Sequence, residues 1–132
     1  MNTRMIMTAS AVVMAALGFA ASFLPQEVLL YVGGETTGMA PLLVQLLGAL
    51  YLGFAILNWM AKGNLIGGIY ARPLAMGNLL HFFAGAMALL KGLSSVHQPG
   101  IMWALVLVYG VFALLFSLIT FRHPLKTSLE GK

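Results

Sequence analysis

Four apolar runs, Met5 to Leu24, Leu42 to Ala61, Pro73 to Leu90 and Ile101 to Phe121, take up most of the 132-residue chain. A hydrocarbon core about 30 Å thick is crossed by about 20 apolar residues in helical form, so each run is a candidate transmembrane helix. The expectation is an all-α fold: an integral membrane four-helix bundle, forming a single transmembrane domain over residues 1–132.

Charge agrees. Only 8% of the residues are charged, against about 25% in a water-soluble domain. The formal net charge of +4 is carried beside the spans rather than in a cluster, so it does not point to nucleic acid; membrane lipids are the partners it implies. Cysteine is absent, which excludes disulfide staples, thiolate metal sites and thiol redox chemistry.

The basic residues also set an orientation. Arg4 precedes the first run, Lys62 and Arg72 lie between the second and third, and Arg122, Lys126 and Lys132 follow the fourth, whereas the other side carries Lys91 with Glu27 and Glu35. Basic residues close to span ends stay in the cytoplasm, so both termini and the middle loop are expected inside a plasma (bacterial inner) membrane. The first run has the small residues of a signal-peptide end at Ala20, Ala21 and Ser22, but its length exceeds the usual 7–15 apolar residues of a signal and predicts a retained span. Between the first two spans, Pro25 is expected to start a short helix over Gln26 to Val32 that Gly33–Gly34 ends. The glycines at 63, 67 and 68 lack the lysine and hydroxyl residue that finish a phosphate-binding loop, so Lys62 to Arg72 is expected to be a turn. Trp59, Tyr70 and Trp103 suit the interfacial belts.

Polar residues inside lipid are costly unless satisfied and are therefore the first place to seek function. Asn78, His81, Gly85 and Ala88 recur at helical spacing in the third run, and Gln45, Gly48, Tyr51, Ala55 and Asn58 do so in the second. Thr8, Ala11, Ala15, Gly18 and Ser22 make a comparable stripe in the first, and Gly110, Ala113, Ser117 and Thr120 in the fourth. Small and polar faces of this kind are what pack transmembrane helices together, so all four are expected to face inward in a left-handed antiparallel bundle. Thr8, Ser10, Asn58, Asn78, His81, Ser117 and Thr120 share the cytoplasmic half, giving a polar layer and a pocket reached from that side. His81 is the one imidazole well inside a span and could carry a proton or sense pH, with Asn78 or Asn58 as its hydrogen-bond partner. The same polar side chains could instead simply bond one another and the backbone. Asn58, Asn78, His81 and Tyr51 are the candidate ligand-binding residues; no catalytic residue, metal set or cofactor is indicated.

All three acids, Glu27, Glu35 and Glu130, lie outside the spans, which removes the intramembrane glutamate that small four-helix multidrug transporters need. The nine methionines are dispersed among apolar neighbours, as flexible core filler is. The run QLLGALYLGFAILNWMA from Gln45 to Ala61, followed by RPLAMGNLLH from Arg72 to His81, resembles small four-span bacterial membrane proteins, and the overall layout is similar to DoxX-like proteins. That resemblance rests on span count and glycine-rich texture; it implies a link to quinone-associated oxidation and carries over no catalytic residue. The leading expectation is a non-enzymatic membrane protein that binds a small ligand or lipid, or conducts a solute, through the polar layer. An accessory subunit of a larger membrane complex and a DoxX-like quinone-linked oxidoreductase component are the alternatives, and a homo-oligomer is compatible with each.

Overall fold

A computed structural model describes residues 2–63, 71–95 and 99–121. The elements are α1 (Thr3–Phe23), α2 (Pro25–Val32), α3 (Met39–Ala61), α4 (Arg72–Gly92) and α5 (Pro99–Phe121), with a short 3₁₀ turn at Leu93–Ser95. No strand occurs among the described residues. The four long helices are each long and apolar enough to cross a membrane. They begin one to three residues before the four apolar runs, because helix continues into the flanking residues until a cap or a turn ends it, and α1 stops one residue short, at Phe23.

Local chemistry explains the ends. The Asn2 side chain accepts a hydrogen bond from the Met5 N–H and caps α1. Pro25 and Pro73 sit in the first turns of α2 and α4, where a missing N–H leaves no bond unmade. Gly33 closes α2 at φ 77°, the left-handed conformation that glycine adopts without a Cβ penalty, and the Gly34 N–H then donates to the Leu29 carbonyl at 2.8 Å. The short helix expected after Pro25 is therefore present, with Leu29 buried and Tyr31 exposed. The turn expected from Lys62 to Arg72 falls mostly on residues 64–70, which with Tyr70 lie outside the described residues.

The long helices alternate in direction and form two close pairs, α1 with α3 and α4 with α5, which approach one another less closely. Glycine makes the first pair close. A Cβ on Gly18 would stand 3.0 Å from the Leu52 backbone nitrogen, and one on Gly48 would stand 2.6 Å from that of Ser22. Lipid supplies no hydrophobic drive between helices, so this backbone proximity, with the dispersion contacts it allows, is what holds the pair. In the second pair, Gly85 leaves room for the Tyr109 ring to lie against the α4 backbone.

Between the pairs the wider gap is filled by large side chains. Met7, Met14, Phe82 and Phe116 are fully buried there. Phe82 stacks on Phe112 at 4.8 Å and on Phe116 at 5.7 Å between ring centroids, contacts worth about 0.5–1.5 kcal/mol each beyond their burial. This overturns the expected facing of α5. Its inward face is Tyr109, Phe112, Ala113, Phe116 and Ile119, not the stripe from Gly110 to Thr120. Of that stripe only Ala113 is buried, and Gly110 meets nothing within 4 Å. Small residues are needed where backbones touch, whereas α5 faces a gap that only aromatic rings fill.

Candidate functional site

Two polar layers lie at different depths in the bundle. The first joins three helices near the end that carries Lys62 and Arg72. Asn58 of α3 donates through Nδ2 to Asn78 Oδ1 at 2.7 Å and to Ser10 Oγ at 3.0 Å. Asn78 of α4 donates in return to Asn58 Oδ1 at 2.8 Å and to the Leu74 carbonyl at 3.0 Å. The Ser10 hydroxyl of α1 donates in turn to the Met7 carbonyl at 3.0 Å. All three side chains are fully buried. Every amide proton of the pair is thus committed to a protein acceptor, and the layer works as a clasp.

The second layer lies about 10 Å further along, since Tyr51 precedes Asn58 by two turns of α3. Here the Tyr109 hydroxyl donates to the Tyr51 hydroxyl, linking the two helix pairs. The proton of Tyr51 has no acceptor among the described residues, so the phenol pair keeps one donor available. His81 packs among these rings: 5.4 Å from Tyr51 and edge-on, 5.1 Å from Phe54, 5.2 Å from Phe82 and 5.6 Å from Tyr109, centroid to centroid. Its Nε2 is buried with no hydrogen-bond partner. The expected link from His81 to Asn58 or Asn78 is therefore not made. The asparagines satisfy each other, and the imidazole turns to the aromatic layer.

Beyond the phenols, on the side of α2, is a partly open cavity of about 350 Å³. Leu17 and Ala21 of α1, Leu47 of α3, Ala88 of α4 and Leu105 of α5 wall it, Val28 of α2 reaches it from the α2 end of the bundle, and Tyr51 and Tyr109 supply its polar atoms. Gly85 also lines it, one turn of α4 from His81. The open space is thus in the half opposite the asparagine layer, where the sequence placed few polar residues. Closely paired amides leave no room, whereas the small residues Ala20, Ala21, Gly85 and Ala88 leave it between the helix pairs.

Of the four candidate residues, Asn58 and Asn78 are joined to each other, and Tyr51 and His81 belong to the second layer. Sequence reasoning missed Tyr109 as a site residue and Ser10 as the partner of Asn58. The available signal for Tyr109 was its helical spacing with Phe112 and Phe116. Among the described residues no three of His, Cys, Asp or Glu come together. Comparison with family models, curated proteins and solved structures returns no match for this chain.

Proposed function

We propose that this chain is a membrane protein that binds a lipophilic small molecule in the cavity between its four long helices, with the ligand's one polar group on Tyr51. The observation that carries this reading is the composition of the cavity wall, apolar throughout except for two paired phenols, one of which has a proton to donate. A volume of about 350 Å³ is at the lower end of the range for small-molecule sites, roughly 300–1,000 Å³. The matching ligand has an alkyl or isoprenoid body and a carbonyl, ether or hydroxyl oxygen. A charged head would be left unpaired, because no cation lines the wall. Binding fits better than conduction, since Phe82, Phe116 and the asparagine clasp fill the axis beyond the phenols. With both termini in the cytoplasm of a bacterial inner membrane, the cavity belongs to the outer leaflet.

The test is solvent extraction of the protein purified in mild detergent, followed by mass spectrometry of what it retains. One class of lipophilic molecule is expected in near-stoichiometric amount. The double variant Tyr51→Phe/Tyr109→Phe removes the donor and should reduce retention about fivefold, the effect of one hydrogen bond near 1 kcal/mol. Ala88→Phe fills the cavity and should abolish retention. Equal retention by the parent and both variants, or nothing beyond bulk phospholipid, would refute the reading. A quinone among the extracted molecules would connect the cavity with the DoxX-like layout.

A further inference from the structure

A separate groove of about 420 Å³ runs along the outside of the α1–α3 pair. Ala11, Ala15 and Phe19 of α1 face Leu52, Ala55 and Trp59 of α3 across it. It is independent of the cavity described above and shares no wall residue with it. On α1 the line Phe19, Ala15, Ala11 continues at helical spacing through Thr8 to Arg4, which is exposed. On α3 the line from Leu52 through Ala55 to Trp59 continues to Lys62. The Lys62 Nζ stands 2.9 Å above the centre of the Trp59 ring. Because α1 and α3 run antiparallel, both lines end in a cation at the same end of the bundle. The described carboxylates, Glu27 and Glu35, belong to the opposite end, where the chain passes from α1 through α2 to α3.

We propose that this groove is a binding site for one anionic glycerophospholipid, with an acyl chain lying between α1 and α3 and the phosphate held by Arg4 and Lys62. The trough from Phe19 to Ala11 is about 12 Å long at 1.5 Å per residue, enough for a large part of an acyl chain. Trp59 stands where an indole suits the headgroup boundary, its face already turned to a cation. The same cations argue against a second copy of this chain as the occupant, since a symmetric contact here would bring Arg4 and Lys62 against their own counterparts. They argue against a zwitterionic lipid because basic side chains at a membrane surface favour anionic headgroups, by about fivefold for each Lys or Arg.

Native mass spectrometry of the protein released from nanodiscs of equal phosphatidylglycerol and phosphatidylcholine tests this. A single retained phosphatidylglycerol should exceed phosphatidylcholine by about tenfold or more. The double variant Arg4→Gln/Lys62→Gln should bring the ratio close to one, whereas Lys91→Gln, at the other end, should leave it unchanged. Ala15→Leu narrows the trough and should lower the retained amount of both lipids. Equal retention of the two lipids by the parent would overturn the site. So would a ratio that survives loss of Arg4 and Lys62, or one that falls as far with Lys91→Gln, which would mark a response to net charge alone. Arg4 is exposed and Lys62 partly exposed, and neither touches the α1–α3 contact through Gly18 and Gly48.

Discussion

Asn58 and Asn78 show how one kind of residue can be costly and stabilising at once. An amide in hydrocarbon without a partner is strongly disfavoured, yet two amides that donate to each other, with Ser10 Oγ and the Leu74 carbonyl taking the remaining protons, leave no donor idle. Replacing one partner strands the other. Asn58→Leu and Asn78→Leu should therefore each destabilise the bundle by about 1–2 kcal/mol. The double variant should cost clearly less than the sum, because it strands nothing. Reversible unfolding in mixed micelles across the four-member cycle measures this, and strictly additive costs would mean that the pair is not coupled. The two asparagines were legible in the sequence because each interrupts an otherwise apolar run. Their choice of each other over His81 was not, since spacing along α4 places Asn78 and His81 on one face but cannot say which partner a facing helix presents.

At the scale of the helix, glycine has two opposite roles. Gly48 lies where α3 meets the Ser22 backbone, and a methyl group there would be 2.6 Å from a backbone nitrogen that cannot yield without moving α1. Gly53, five residues on, meets nothing within 4 Å. Gly48→Ala should thus destabilise by about 1–3 kcal/mol through overpacking, while Gly53→Ala should be neutral or stabilise by up to about 1 kcal/mol through helix propensity. Thermal unfolding of the two variants side by side checks the contrast, and equal effects would show that α1 and α3 are not in backbone contact. The contrast has no counterpart in the sequence, where both glycines occupy the same apolar run. The same limit hid the facing of α5. In a soluble helix the buried side announces itself as the apolar side, but α5 is apolar on nearly every side, Ser117 and Thr120 aside, and lipid and protein interior reward the same side chains. Helix positions were readable from apolar length, and α2 from Pro25 and Gly33. The inward side was readable where Asn58 and Asn78 marked it, whereas the stripe with Ser117 and Thr120 in α5 pointed to the wrong face.

For the whole molecule, the two layers and the two open spaces acquire meaning only from the direction in which the bundle is threaded. The asparagine clasp and the Lys62 end of the outer groove share one half, and the phenol-floored cavity and α2 share the other. The distribution of lysine and arginine predicts that the first half adjoins the cytoplasm. The absence of cysteine makes this directly measurable, because any introduced thiol is unique. Glu35→Cys, in the exposed segment between α2 and α3, should react with a membrane-impermeant maleimide added to intact cells. Gly63→Cys, exposed just past the end of α3, should react only after the membrane is opened. The reverse pattern would invert the bundle, placing the anionic lipid in the outer leaflet and the cavity in the inner. Equal labelling of both positions in intact cells would mean mixed insertion, and a charge bias this uneven would then have failed to select one orientation. The expected pattern would divide the two proposed ligands by leaflet, the anionic phospholipid on the cytoplasmic side at Arg4 and Lys62 and the neutral lipophilic molecule in the other half, toward α2. Binding at either space would then stabilise the same α1–α3 pair, since Ala15 and Ala55 line the groove while Leu17, Ala21 and Leu47 line the cavity.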